Sequence, residues 1–245
     1  MSQPAFEALA DRSLLPQGQA AVRHVLVRVV APVRAGHERL PLNLAFVLDR
    51  SGSMSGGKLA LAQASALQAL EAMKPCDRAS VVLYNHAVEL RLPSTPVTQA
   101  AREQARAALA EARASGNTAL FDGWLRGCEQ VAAHLDGRGL ARCLLLTDGL
   151  ANQGLTDAAE IVRHVEELAR RGVATSTFGV GEDFDEQLLA DMSRAGQGRF
   201  HYVQEEAQID RFVRAELGEA LETVATHVQL VVEAPASIQV EPLNA

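Results

Sequence analysis

Short apolar runs alternate with longer stretches of helical periodicity through most of the chain. The apolar runs have the length of β-strands and occupy residues 42–48, 79–84, 142–147, 174–180 and 198–203. Between and after them, apolar residues recur every three to four positions, which predicts helices over residues 58–73, 98–114, 119–135, 157–171, 185–195 and 207–224. Single strands that alternate with helices are typical of an α/β fold, in which helices cover both faces of a mostly parallel sheet.

One predicted strand departs from the parallel arrangement. Residues 87–92 alternate between apolar and charged positions after a two-residue polar turn, Asn85-His86, that follows the run at 79–84. A turn this short joins neighbouring antiparallel strands, because a parallel connection needs a long crossover. We therefore expect one antiparallel strand at the edge of the sheet.

The two ends of the chain carry a different pattern. Residues 20–32 form a β-rich run, residues 226–233 alternate between apolar and polar positions, and residues 238–240 begin another alternating run. Because domain termini often lie close together, we predict that the first two segments pair in a small extra β-sheet. The predicted organisation is an irregular or weakly helical lead-in and β segment at 1–39, an α/β domain at 40–224, and a C-terminal β segment at 225–245.

Composition narrows the class of protein. The 245 residues are 48% hydrophobic, which is enough for one large α/β domain with a small appendage. A formal net charge of -7 argues against nucleic-acid binding, which requires clustered basic residues. Lysine occurs only at Lys58 and Lys74, and this dominance of arginine indicates the codon bias of a bacterial gene.

Neither a membrane span nor a secretory signal is visible in the sequence. No apolar stretch approaches the length needed to cross a bilayer, and the first residues, M-S-Q-P, carry no basic region or apolar run. The three cysteines, Cys76, Cys128 and Cys143, are odd in number and widely spaced, so we expect buried free thiols in a reducing compartment. The prediction is a cytoplasmic protein without membrane insertion, although a chain trimmed at both ends would show the same pattern.

Oxygen-bearing side chains follow the predicted strands where the strands end. Asp49, Ser51 and Ser53 come directly after the first run, Asp148 follows the run at 142–147, and Thr118 closes the loop before a helix. Ligands of open parallel sheets bind beyond the carboxyl ends of the strands. Two carboxylates and three hydroxyls are the oxygen donors that hard cations such as Mg²⁺ prefer. No cysteine or histidine joins this set, which argues against zinc.

These residues also have an ordinary structural explanation. Serine, threonine and aspartate frequently cap helices, and Ser51 or Ser53 could be the N-cap of the helix that begins at Lys58. A single short motif would not decide between the two interpretations. The presence of all three loops, in register with the strand pattern, favours the metal site.

Three motifs resemble those of von Willebrand factor type A (VWA) and integrin I domains. The sequence D-R-S-G-S-M at 49–54 resembles the D-x-S-x-S metal-ion-dependent adhesion site (MIDAS), S-G-N-T at 115–118 resembles the second loop, and L-L-L-T-D-G at 144–149 resembles the third. The resemblance covers residues 40–224 and implies a doubly wound, Rossmann-like fold. One departure is Ser115, where the family commonly has glycine.

The resemblance also assigns roles to the site residues. It implies that Ser51 and Ser53 ligate the metal directly, that Thr118 does so directly or through water, and that Asp49 and Asp148 hold coordinating water. The implied cofactor is Mg²⁺, or Mn²⁺ or Ca²⁺ in its place. The implied function is protein binding, in which a partner supplies a Glu or Asp side chain to the metal, with no catalytic residue.

The alternative is a metal-dependent hydrolase on a similar α/β fold. A haloacid dehalogenase would need a second carboxylate where Ser51 stands, and a serine hydrolase would need its nucleophile where Met54 stands. No phosphate-binding G-x-x-x-x-G-K-[ST] loop is present. The three loops contain no His or Lys as a general base, so the sequence favours the binding module.

Overall fold

The computed structural model describes residues 5–12, 20–30, 40–137, 139–181, 184–204, 208, 215, 230–235, 237–241 and 243. The chain divides into two compact units. The smaller unit combines Met1–Glu38 with Thr223–Ala245, and the larger unit is Arg39–Glu222.

The described part of the smaller unit contains a two-stranded antiparallel sheet. Strand β1 (Ala5–Ala10) pairs with strand β2 (Val25–Val30), with Ala5 opposite Val30 and Ala10 opposite Val25. An extra sheet is therefore present, as predicted, but both of its strands come from the N-terminal segment.

The predicted pairing of residues 20–32 with residues 226–233 is wrong for the part that can be checked. Residues 230–233 and 238–240 form no strand, and residues 226–229 lie outside the described part of the chain. The partner of β2 is β1, in the segment interpreted as an irregular lead-in. Pairing with a nearby segment closes a much shorter loop, which costs less chain entropy than pairing across the whole domain. The alanine-rich sequence of β1 hides this strand from a hydrophobicity pattern.

The larger unit is built on a six-stranded sheet. Its strands are β3 (Leu42–Asp49), β4 (Arg78–Tyr84), β5 (Val88–Pro96), β6 (Leu140–Thr147), β7 (Ala174–Val180) and β8 (Phe200–Val203). Their order across the sheet is β5-β4-β3-β6-β7-β8, and every neighbouring pair is parallel except β4 and β5. The predicted doubly wound sheet with one antiparallel edge strand is confirmed.

The described helices of this unit flank the sheet. They are α1 (Lys58–Ala72), α2 (Gln99–Ala110), α3 (Leu120–Ala132), α4 (Ala158–Arg170) and α5 (Glu186–Ala195). Most of the helix predicted at 207–224 lies outside the described residues. Among the helices that the structure describes, none combines the length and the apolar character required to cross a bilayer.

Each face of the sheet has its own core, because successive residues of a strand point to opposite faces. Phe46 and Leu48 of β3 belong to the core that includes α1 and α2. Ala45 and Val47 belong to the core that includes α3, α4 and α5. All eight residues of β3 are buried, so the central strand fixes the position of the loop that follows Asp49.

Helix α3 lies unusually close to the sheet. A Cβ atom at Gly123 would lie 2.4 Å from Cγ of Tyr84, and one at Gly127 would lie 2.2 Å from Cγ2 of Val47. Only glycine allows this approach, and an added methyl group would force the helix outward. The close packing fixes the start of α3, and with it the loop that contains Thr118.

The three cysteines differ in their surroundings. Cys128 and Cys143 are buried free thiols, as predicted, and burial raises the pKa of Cys128 well above its ordinary value. Cys76 is exposed, so the prediction is wrong for this residue. It lies in the short turn between α1 and β4, where too few neighbours surround it to exclude water.

Candidate metal centre

Three loops meet at the carboxyl edge of the sheet. One follows β3, a second precedes α3, and a third follows β6, the strand paired with β3. The first two loops are joined by two backbone hydrogen bonds, from Gly52 N to Gly116 O at 2.9 Å and from Ser115 N to Arg50 O at 2.8 Å. The positive φ of 78° at Gly116 explains a glycine there. The first two loops therefore form one connected rim, and the backbone of Ser115 takes part in joining them.

Both oxygens of the Asp49 carboxylate accept a hydrogen bond. The backbone N–H of Ser51 donates to Oδ1 at 2.7 Å, and the hydroxyl of Thr147 donates to Oδ2 at 2.6 Å. Asp49 is fully buried. The side chain is therefore fixed at the floor of the site, with one donor from its own loop and one from β6.

The hydroxyls of Ser51 and Ser53 connect the first loop to Asp148. Their Oγ atoms lie 3.0 Å apart, and Ser53 Oγ donates to Asp148 Oδ1 at 2.7 Å. Ser51 and Asp148 are buried, whereas Ser53 is exposed. The cluster is therefore open to solvent on the side of Ser53.

Side chains from the first two loops converge beside Gly149, which lies in the third loop. A Cβ atom built on this glycine would lie 3.1 Å from Thr118 Oγ1, 3.5 Å from Ser53 Oγ and 3.6 Å from Asp49 Oδ2. Gly149 is buried. One point is thus surrounded by two hydroxyls and a carboxylate, and the absence of a side chain at residue 149 keeps it accessible. This donor set fits a hard cation such as Mg²⁺.

The structure argues against the helix-capping explanation of the two serines. The N-cap of α1 is Gly57, in a left-handed conformation with φ of 104°, and it makes no side-chain capping bond. Ser51 precedes a short 3-10 turn at Gly52–Met54 and does not cap it through its side chain. The hydroxyl of Ser53 donates to Asp148 instead. Neither serine is the N-cap of the helix that begins at Lys58.

Three further residues support the site and were not identified from the sequence. Thr147 holds Asp49, and Lys58 Nζ donates to Asp148 Oδ2 at 2.6 Å. Asn152 holds the second loop in place. Its side-chain Oδ1 accepts from the backbone N–H of Thr118 at 2.9 Å, and its backbone N–H donates to the carbonyl oxygen of Thr118 at 3.2 Å. Thr147 directly precedes Asp148, and Lys58 is one of only two lysines, so both carried a sequence signal. Nothing in the pattern singles out Asn152.

Burial and like charge act together on Asp49. Burial raises its pKa above the ordinary value, the hydrogen bonds from Thr147 and Ser51 oppose this change, and the nearby charge of Asp148 adds to it. Burial also raises the pKa of Tyr84 well above its ordinary value, and the charge of Asp49 contributes. Because two carboxylates share a buried space, a bound cation would relieve their repulsion.

The described residues contain no group of three or more His, Cys, Asp or Glu side chains that could hold a metal. The cluster has two carboxylates, and its other side-chain donors are hydroxyls. Such a set lacks the cysteine and histidine ligands of a structural zinc site.

Residues 43–215 match the family model of the von Willebrand factor type A domain. The chain therefore belongs to this family, and the resemblance of its three loops to the family motifs agrees with the assignment. VWA domains are commonly metal-dependent modules of protein–protein interaction.

The chain is similar to a bacterial relative and to a solved structure of the same fold. The uncharacterized protein YfbK of Escherichia coli (strain K12) is 29% identical over 209 residues, which cover 84% of this chain and 36% of YfbK. The chain thus spans about a third of that relative, whose origin agrees with the predicted bacterial source. A von Willebrand factor type A structure from Catenulispora acidiphila has a TM-score of 0.70 and 18% identity, over 89% of this chain and 50% of that one.

A third protein of similar structure contains a bound metal. Proximal thread matrix protein 1 from the mussel byssus, with a zinc-occupied MIDAS motif, has a TM-score of 0.56 and 13% identity. The match covers 73% of this chain and 47% of that one. At this level of identity the comparison shows a shared fold.

Proposed function

We propose that Asp49, Ser51, Ser53, Thr118 and Asp148 bind one divalent cation, and that this cation binds an acidic side chain of a partner protein. The observation that carries the proposal is the convergence of oxygens from the first two loops beside Gly149 of the third loop. We also propose residues 40–224 as the limits of the domain. The cytoplasmic location stays a prediction from the sequence.

The hydroxyls and the carboxylates take different roles in the proposed site. Ser51 and Ser53 bind the metal directly through neutral hydroxyls, Thr118 binds it directly or through water, and Asp49 and Asp148 hold water that coordinates it. The fixed orientation of Asp49, with both oxygens accepting hydrogen bonds, supports a role behind water. The oxygen donors favour Mg²⁺, with Mn²⁺ or Ca²⁺ as alternatives. The zinc-occupied MIDAS motif of the mussel protein supports a divalent ion at this edge of the fold.

The neutral charge of the hydroxyl ligands determines which group of a partner the bound metal attracts. A divalent cation held by hydroxyls keeps most of its charge at any coordination position left to the partner, and the charge of the ion dominates the local field. A carboxylate neutralises this charge better than water does. Since the chain itself has a net charge of -7, an acidic partner group would be repelled without the metal. The metal is therefore required for binding, and the surrounding loops select the partner.

The proposed role is non-enzymatic. The three loops contain no His or Lys, yet Lys58 reaches the site from the first position of α1. Its ammonium donates to Asp148, so in this arrangement it is a hydrogen-bond donor and does not act as a general base. Because Lys58 does not supply a general base, a binding module is the function that the geometry supports best.

Chelation provides the functional test. Proteins retained on the immobilised domain in Mg²⁺ should be released by EDTA, while the circular dichroism of the domain stays nearly unchanged. The double variant Ser51→Ala/Ser53→Ala should bind the same partner at least about a hundredfold more weakly, as expected when the central contact of an interface is lost. Affinities measured by surface plasmon resonance with the retained partner provide the comparison.

Ser55→Ala is the matched control for the double variant. Ser55 is an exposed serine of the same loop, and it lies outside the proposed ligand set. It should bind like the parent. A retained partner with equal affinity in Mg²⁺ and in EDTA would show that the metal is not the binding element.

A further inference from the structure

Lys58 provides a positive charge at the proposed metal site. Its Nζ donates to Asp148 Oδ2 at 2.6 Å, while the other oxygen of this carboxylate accepts from Ser53. The two oxygens of Asp148 therefore face different partners: Oδ1 contacts the hydroxyl cluster and Oδ2 contacts the ammonium. A cation at the hydroxyls, through its coordinating water, and the ammonium of Lys58 can therefore interact with different oxygens of the same carboxylate.

The backbone beside Lys58 leaves room for this arrangement. A Cβ atom at Gly181, directly after β7, would lie 3.0 Å from Lys58 Cε and 3.1 Å from Lys58 Nζ. Gly181 has a φ of 85°, so its backbone conformation also favours glycine. The lysine side chain is 28% exposed, whereas Asp148 is fully buried. The ammonium thus lies at the boundary between the buried carboxylate and solvent, where a partner can reach it.

Lys58 changes the net charge of the proposed site. With both carboxylates ionised, Asp49, Asp148 and Lys58 together have one net negative charge, and a divalent cation changes this to one net positive charge. Arg50, the neighbour of Asp49 in sequence, forms an ion pair with Glu89 and adds no net charge. Without Lys58, the two carboxylates and the cation would be neutral together. The lysine therefore creates the excess positive charge that a carboxylate of the partner can neutralise.

We propose that Lys58 couples the two ligands of the site: it weakens the binding of the divalent cation alone and strengthens its binding together with a carboxylate. This inference rests on the proposed function. Coupling of this kind is reciprocal, so an acidic partner must raise the affinity for metal by the factor by which metal raises the affinity for the partner. Lys58 acts here through charge, and it is a positioning residue for Asp148.

The test compares four proteins by isothermal titration calorimetry with Mg²⁺ alone: the parent, Lys58→Met, Lys58→Arg and Lys74→Met. Lys58→Met should bind Mg²⁺ about tenfold more tightly than the parent, the order of magnitude expected for removing a unit charge next to a divalent cation in water-like surroundings. Lys58→Arg retains the charge and should bind like the parent. Lys74→Met removes the other, exposed lysine and should also bind like the parent.

A second titration in acetate buffer, at constant ionic strength and corrected for binding of Mg²⁺ by free acetate, measures the coupling. Acetate should tighten Mg²⁺ binding by the parent and should tighten it less in Lys58→Met. If the parent binds Mg²⁺ and Lys58→Met binds it equally or more weakly, the inference is overturned and the metal site stands. If the parent binds no Mg²⁺, the proposed function fails, and the role of Lys58 fails with it.

Discussion

Gly149→Ala should weaken the binding of Mg²⁺ by at least about tenfold while the protein remains folded, since 1.4 kcal/mol of lost binding energy suffices for this change. The new methyl group would lie 3.1 Å from Thr118 Oγ1 and within 3.6 Å of Ser53 Oγ and Asp49 Oδ2. It would occupy the point on which the proposed ligands converge. Calorimetric titration with Mg²⁺ measures the loss.

Gly52→Ala is the control for this prediction, because it adds the same methyl group to a loop of the same site. The nearest atom to a Cβ at Gly52 is Gly116 O at 3.6 Å, which is an ordinary van der Waals contact. This variant should bind Mg²⁺ with parental affinity. Equal affinities for Gly149→Ala and the parent would mean that the metal does not bind at the point beside Gly149.

Asp49→Asn should raise the melting temperature by a few degrees in EDTA at neutral pH and should eliminate the stabilisation by Mg²⁺. Burial raises the pKa of Asp49, so the folded protein disfavours the ionised carboxylate. The stability that this side chain contributes is therefore present below its ordinary pKa of about 3.9 and is lost as the pH rises through the raised value. An amide without charge keeps one oxygen that can accept from Ser51 N, and its NH2 group can donate to the Thr147 hydroxyl in place of the bond that the second carboxylate oxygen accepts.

The stability of the parent in EDTA and its stabilisation by Mg²⁺ should change in opposite directions as the pH rises. In EDTA, the stability of the parent should fall relative to Asp49→Asn as the pH rises above about 4. The shift produced by Mg²⁺ in the parent should grow over the same range, because metal binds to the ionised site and stabilises the folded state by mass action. Thermal melts monitored by circular dichroism measure both trends.

Asp157→Asn is the matched control for the loss of one carboxylate. Asp157 is the exposed N-cap of α4 and accepts a hydrogen bond from Glu160 N at 2.8 Å. Asparagine caps helices about as well as aspartate, so this variant should retain the parental response to Mg²⁺. A lower melting temperature for Asp49→Asn than for the parent in EDTA would contradict the account of Asp49.

The α/β domain was predictable because its strands and helices have strong, distinct periodicities. The strand Ala174–Val180 was predicted to the residue, and helix α1 begins at Lys58 as expected. Strand β1 was missed because A-F-E-A-L-A has neither clear alternation nor β-branched residues. Its pairing with β2 is a choice between tertiary partners, and single-segment patterns do not encode that choice.

The sequence also indicated the candidate site, since four of its five proposed residues lie at the ends of adjacent strands. Their convergence beside Gly149, by contrast, depends on the hydrogen bonds that join the loops. The contacts of Lys58, Thr147 and Asn152 depend on side-chain directions across elements that are far apart in the chain. Periodicity predicts which elements form, and the contacts among their side chains follow only from packing.

The most direct test of the metal centre is anomalous diffraction from crystals grown with Mn²⁺. We expect one strong peak within coordinating distance of the hydroxyls of Ser51 and Ser53, about 2.2 Å away as for other hard divalent cations, with Asp49 and Asp148 farther out. Crystals of Asp49→Ala grown in the same way should lack this peak. A map of the parent at saturating Mn²⁺ with no peak at these serines, or with its strongest peak elsewhere on the domain, would contradict the central claim.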